Sequence, residues 1–471
     1  MRADRFLLVV LLAAAAFGLA PPAGPARPKA DAPAPKAEAP PSDLTDYVAK
    51  DDKAFVWKLA DKTVSDAGTV YTIDLVSQTW HDIKWEHKLQ VFVPKDAAPR
   101  ATMMLWNQGG RPGAGSALLG LELAKRVGAP VAFLFGVPNQ PLFEGKTEDA
   151  LIAETFVRFL ETKDSSWPLL FPMVKSLIRA MDALQAFARQ EWNFEVTGFV
   201  VTGASKRGWT SWLTAATGDR RVKAIAPLVI DTLNFPAQMR NQVAAFGRPS
   251  EMVRDYTNRN LIPIPDAPEA QRLWKMVDPW VYRQRITVPR LIINGTNDPY
   301  WPLDALNSYW DDLPGEKYLL YVPNAGHDLR EVDKDGKKEF LPTRAVSALA
   351  AFTKAQVFGK AMPKLTWRGP AAGNGNGNGN GAFTLGNFSF SGAKSEPGPK
   401  LVRRWSAESD TRDFRKARWE AKTFDADVRE YRALRQAGDR FEAFLLEFEY
   451  EQDGQQFSLT TQLELLEPRR K

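Results

Sequence analysis

Cysteine is absent from all 471 residues. Thiol nucleophiles, thiolate metal sites, disulfides and a lipid carried on an N-terminal cysteine are therefore all excluded. Stability has to come from buried apolar surface, which a chain of this length can supply. Histidine is nearly as scarce, with three in the whole chain. Charge of one sign is lacking too: the formal net charge is +6, and basic and acidic residues balance from Pro399 onward. No lysine and arginine stripe stands out, so nucleic-acid binding has no support. The apolar run Phe6 to Ala20 is shorter than the roughly 20 residues a bilayer span needs. Behind Met1-Arg2-Ala3-Asp4-Arg5, it has the length and flanks of a secretory leader.

The leader, residues 1–20, predicts export to a periplasm or the cell exterior, with no membrane span once it is removed. Residues 21–43, rich in Ala, Pro, Lys and Glu, cannot bury apolar surface and are expected to form a tether. Thr69 to Pro94 alternates as two strands would. Short apolar runs then recur at Ala101–Trp106, Val131–Phe135, Phe199–Thr202, Ala224–Ile230, Arg290–Asn294 and Tyr318–Val322, with helical stretches between them. That pattern predicts an α/β fold with a mainly parallel sheet covered on both faces. Residues 44–362 make up this expected domain, and the long stretch 234–281 reads as a helical lid. Residues 363–398, with the Asn-Gly repeat Asn374–Gly381, are expected to link it to a sandwich-like β-rich domain over 399–471.

The strand Phe199-Val200-Val201-Thr202 runs directly into Gly203-Ala204-Ser205-Lys206-Arg207-Gly208, and helix-compatible residues follow. A strand, tight turn and helix present a serine hydroxyl at the end of a sheet. The motif departs from Gly-x-Ser-x-Gly, because Arg207 holds the fifth place and the glycine comes at Gly208. Its shifted glycine and the basic residue after the serine are similar to the elbow of glucuronoyl esterases. Further on, Leu291 to Asn294 ends at Gly295-Thr296-Asn297-Asp298, and Tyr318 to Val322 leads to Pro323-Asn324-Ala325-Gly326-His327. The order Ser, Asp, His is that of the α/β-hydrolases. Ser205 is the candidate nucleophile, His327 its base and Asp298 the group that orients the imidazole, with Asp304 and Asp328 as rival acids. The backbone N–H of Lys206, with Gly109 and Gly110 after the first parallel strand, would form the oxyanion hole.

Trp209, Tyr300 and Trp301 flank the motifs and are candidate pocket residues, although aromatic residues at such places more often serve packing. Arg240, Asn241, Arg248 and Arg254 in the lid read as a solvated face, with recognition of an acidic substrate as the alternative. His81 and His87 show no spacing suited to metal ligation. No metal or cofactor is expected.

At Trp167-Pro168, Pro172 to Ser176, Ala180-Met181-Asp182, Gly203 to Trp209, Asp278-Pro279-Trp280, Asn294 to Asp298 and Leu313 to His327, the chain resembles the PhoPQ-activated pathogenicity-related protein family. The likeness runs from about Leu44 to the C-terminus and includes Asp413-Phe414-Arg415. It implies an α/β-hydrolase core, an appended small β-domain and export; it supplies no substrate, and an activity similar to prolyl peptidases is one suggestion it carries. The expectation is a serine hydrolase cleaving an ester or amide of a small molecule or peptide through an acyl-enzyme. A carbohydrate esterase, or a secreted binding or signalling protein with an idle triad, are the alternatives.

Overall fold

A computed structural model of the chain describes residues 39–365, 367, 386–389, 397–424, 430–433 and 439–468. The expected leader, most of the tether and the Asn-Gly repeat lie outside the described residues. Nine strands form the central sheet: β1 (Val56–Ser65), β2 (Gly68–Trp80), β3 (Ile83–Pro94), β4 (Thr102–Asn107), β5 (Val131–Phe135), β6 (Gly198–Ala204), β7 (Val222–Leu228), β8 (Arg290–Gly295) and β9 (Lys317–Val322). Their order is β1-β2-β3-β5-β4-β6-β7-β8-β9. The pairs β1–β2, β2–β3 and β3–β5 are antiparallel, and all the later ones are parallel. The fold is that of the α/β-hydrolases.

Side-chain alternation explains why the parallel strands read as unbroken apolar runs. In β4, Met103 and Leu105 enter one core while Met104 and Trp106 enter the other. In β8, Ile292 faces the first core, and Leu291 and Ile293 face the second. A strand buried on both faces has no polar position to interrupt it. Helices α1 (Asp43–Ala49), α2 (Ala114–Val127), α3 (Glu148–Thr162), α4 (Leu170–Trp192) and α5 (Lys206–Ala216) come between or before these strands. Helices α4 and α5 belong to the first core, and α2 packs against the second. The stretch expected as a lid holds α6 (Phe235–Phe246), the four-residue α7 (Arg254–Thr257) and α8 (Pro268–Val277). After β9, α9 (Thr343–Phe358) closes the second face. Among the described residues no helix is long and apolar enough to cross a membrane.

The C-terminal region is β-rich, as expected. Strands β10 (Gly386–Ser389), β11 (Leu401–Ser409), β12 (Glu420–Phe424), β13 (Glu430–Ala433), β14 (Phe441–Gln452), β15 (Gln455–Thr460) and β16 (Glu464–Leu466) are antiparallel. β14 sits centrally, between β11 on one side and β15 and β16 on the other. The alternating run Phe457 to Leu465 is thus divided between two short strands, with Thr461 N–H bonded to the Leu446 carbonyl between them. Phe448, Phe457 and Leu459 join the same core as α9. The Tyr321 N–H on β9, the last strand of the central sheet, donates to Thr460 Oγ1 at 3.0 Å. The C-terminal strands thereby cover an edge that would otherwise offer unpaired backbone groups. The described residues from Pro40 onward form one compact unit.

Candidate active site

Strand β6 ends one residue before Ser205, and α5 begins one residue after it. Ser205 has φ +58° and ψ −124°, backbone that an L-residue adopts only when its surroundings hold it there. A serine at a helix N-cap ordinarily accepts a hydrogen bond from the first turn, yet the Ser205 side chain makes no such bond. Its hydroxyl is left available. The turn is tight enough to need both glycines: a Cβ on Gly203 would lie 2.7 Å from Arg207 Cβ, and one on Gly208 would lie 3.0 Å from the Gly203 carbonyl. The displaced glycine of the motif is therefore where helix meets strand.

Arg207, the residue that breaks the familiar motif, is buried and serves as a strut. Its guanidinium forks onto Glu148 at 2.5 and 2.7 Å, and its Nε donates to the Val137 carbonyl at 2.6 Å. Gly109 lies against it, since a Cβ there would be 2.0 Å from Arg207 Nη2. Arginine suits this place because its planar fork matches a carboxylate with two parallel bonds.

Asp298 follows β8 and is 7% exposed. Its Oδ2 lies 2.8 Å from His327 Nδ1, and its Oδ1 accepts the Tyr300 N–H at 2.9 Å. A carboxylate only accepts, so Nδ1 carries the proton and Nε2 is left as the acceptor. His327 Nε2 is buried and has no hydrogen-bond partner among the described residues, Ser205 included. Tyr300 stacks on the imidazole with ring centres 4.2 Å apart. The rival acids point elsewhere, Asp304 to Asn241 and Arg412, Asp328 to Arg330 and Lys338.

Ser205 and His327 line one cavity of about 30 Å³. Trp209, Tyr300 and Trp301, singled out from the sequence, line it too. The stretch expected as a lid contributes Phe235, Val253, Tyr256, Ile262 and Trp274. Gly109 and Gly110 border a different groove, with His87 and Thr147, and do not reach this cavity. The lid cations Arg240, Arg248 and Arg254 are exposed and away from it, as a solvated face requires. Among the described residues no cluster of histidine and carboxylate side chains is placed to hold a metal. His81 stacks on Trp167, and the buried His87 bonds to Ser77 Oγ at 2.9 Å.

Three side chains matter here that sequence patterns did not point to. Asp149 Oδ2 holds Lys206 Nζ at 2.6 Å, while its Oδ1 accepts from Tyr256 at 3.0 Å. Burial works against the charge on Lys206, but Asp149, Tyr300 and Glu148 together outweigh it and hold the ammonium pKa above its usual value. Asp231, just past β7, is buried and bonded by Tyr309 at 2.5 Å and Asn294 at 2.8 Å. Burial pushes its pKa up to about 7, against the two donors and with the help of nearby Asp298. Thr232 lines the cavity, and its buried Oγ1 has no partner among the described residues. An acidic residue just past a strand end was the one available signal for Asp231.

The model of the PhoPQ-activated pathogenicity-related protein family matches residues 44–415. The chain belongs to that family. The family span takes in the elbow, both loops carrying Asp298 and His327, the stretch 234–281 and the first part of the segment between β11 and β12. Autocrine proliferation repressor protein A of Dictyostelium discoideum is 31% identical over 342 residues, 69% of this chain and 67% of that protein. Among solved structures, acetyl xylan esterase 1 from Thermoanaerobacterium sp. JW/SL YS485 superposes with a TM-score of 0.47 at 16% identity, covering 68% of this chain and 95% of that one. The glucuronoyl esterase of Solibacter usitatus gives 0.39 at 12% identity, covering 67% and 91%.

Proposed function

We propose that the chain is an exported serine hydrolase that cleaves esters of small acyl groups through an acyl-enzyme on Ser205. The observation that carries this reading is the His327–Asp298 hydrogen bond, which leaves an unpartnered imidazole nitrogen on the cavity that Ser205 also lines. In the proposed cycle His327 Nε2 takes the Ser205 proton as Oγ attacks the carbonyl. Asp298 stabilises the imidazolium. The proton then passes to the leaving alcohol, and water repeats the sequence to release the acid. The Lys206 N–H, first in α5, faces the developing oxyanion. Contact between serine and imidazole tightens when substrate fills the site.

Cavity size argues for a small acyl group. At about 30 Å³ the cavity is far below the roughly 300–1,000 Å³ of sites that take drug-sized ligands. Trp209, Ile230, Phe235, Val253 and Ile262 make its walls apolar. Acetyl and propionyl esters fit this space, whereas longer chains require the lid to move. With p-nitrophenyl esters of increasing chain length, kcat/KM is expected to be highest for the shortest acyl groups. Ile262→Ala should shift the optimum toward butyryl. Ser205→Ala should lower kcat by roughly 10⁴ to 10⁶ fold with the fold intact. Equal turnover of long and short esters would defeat the assignment of the cavity, and preferred cleavage of aminoacyl amides would replace the esterase reading with a peptidase one. Unchanged turnover by Ser205→Ala would defeat the mechanism.

A further inference from the structure

The segment between β11 and β12 reaches back to the loops that carry Asp298 and His327. Asn297, next to Asp298, sends its Nδ2 into three carbonyls of this segment: Ala417 at 2.7 Å, with Phe414 and Arg415 both at 3.3 Å. Asn324, three residues before His327, makes a reciprocal pair with Trp419. Its Nδ2 donates to the Trp419 carbonyl at 2.9 Å and its Oδ1 accepts the Trp419 N–H at 2.8 Å. Phe414 and Trp419 are each 1% exposed, so the segment is anchored in the core while it makes these bonds. It also holds the lid. The Arg415 guanidinium sits 4.0 Å from the Phe246 ring centre at the end of α6 and 3.5 Å from Glu251. Arg412 meets Asp304 at 2.8 Å, and Asp304 in turn accepts from Asn241 of α6 at 3.0 Å.

We infer that this C-terminal segment is a brace for the catalytic loops, with Asn297 and Asn324 as positioning residues that set Asp298 against His327. The inference rests on the triad reading above. Beyond the last paired residues of β8 and β9 the two loops touch through the Asn297 N–H on the Ala325 carbonyl and the Asn324 N–H on Thr296 Oγ1. The brace ties each loop to the same short stretch of backbone as well, so the pair of loops is held as one unit. Bonds made by one asparagine to three carbonyls cannot be replaced by a residue without an amide, because those carbonyls would be left short of a donor. The amide of Asn324 both gives and accepts, a combination that aspartate meets only in part.

Two variants test this without changing a residue assigned to the chemistry. Asn297→Ala removes one tie. Asn324→Gly removes the other while tolerating the backbone there, where φ is +55°. The expected result for each is a kcat lowered by roughly 10- to 100-fold, with KM for a short ester within about twofold and cooperative unfolding retained. Asn324→Asp should recover part of the loss. The second readout does not depend on activity. With only three histidines in the chain, ¹⁵N-histidine labelling lets the Nδ1 proton of His327 be followed directly, and it should exchange with water faster in both variants than in the wild type. A lowered melting temperature with kcat and proton exchange unchanged would overturn the brace and leave a merely structural contact. If Ser205→Ala remains active, the triad reading fails, while the exchange rate still decides whether the brace holds Asp298 and His327 together.

Discussion

Asp231 shows how one buried carboxyl can shape the pH response of the whole chain. Its folded pKa, raised by burial to about 7, lies above the unfolded value of about 4. Between those values the folded state holds a proton that the unfolded state has lost. The stability this group contributes is therefore complete below about pH 4 and disappears as pH rises through about 7. Asp231→Asn keeps the shape and an acceptor for Tyr309 while removing the titration. Urea unfolding midpoints measured from pH 5 to 7.5 should fall with pH more steeply in the wild type than in this variant. Converted to unfolding free energy, the difference in slope should be at most about 1.4 kcal/mol per pH unit. Parallel slopes would show that Asp231 keeps its ordinary carboxylate pKa.

At the scale of elements, two loops leave neighbouring strand ends and have to touch. Thr296 and Asn297 donate their N–H groups to the Val322 and Ala325 carbonyls at 3.1 and 2.9 Å, and Asn324 N–H returns a bond to Thr296 Oγ1 at 3.0 Å. Gly295 makes that approach possible. A Cβ there would meet the Ala325 carbonyl oxygen at 2.4 Å and the Gly326 oxygen at 2.5 Å, both backbone atoms that cannot swing aside. Gly295→Ala is accordingly expected to cost roughly 1–3 kcal/mol of stability and to push the His327 loop outward. Turnover at 25 °C should then drop by at least about tenfold even where the protein is fully folded. Wild-type kcat in this variant, read beside its melting curve, would mean that the loops do not need this spacing.

The same elements explain what could be read from the sequence. Strands β4 to β9 announce themselves because burial on both faces leaves a short apolar run in each. Ser205, Asp298 and His327 could be picked out because each stands just past such a strand, where a short local motif is enough. Strand β1 gave no comparable signal: it is largely exposed, with Lys58, Asp61 and Lys62 in it, and it exists by pairing with β2. The ties from Asn297 and Asn324 to the C-terminal segment join residues more than ninety positions apart, and no periodicity records such contacts. Arg207 looked like a flaw in the elbow motif because its partner Glu148 lies far away in the sequence.

Across the whole molecule, the sheet supplies three anchor points, α6 to α8 and their loops line the cavity beside them, and the C-terminal strands cover the β9 edge and reach back to the loops. All of this serves the chemistry only if the Ser205 hydroxyl is activated by His327. Intact-mass and peptide-mapping analysis of the protein after fluorophosphonate treatment tests that most directly. One adduct on Ser205 is expected in the wild type, with none in Ser205→Ala and a strongly slowed reaction in His327→Ala. A folded wild-type protein that takes no label, or takes it on another residue, would contradict the account.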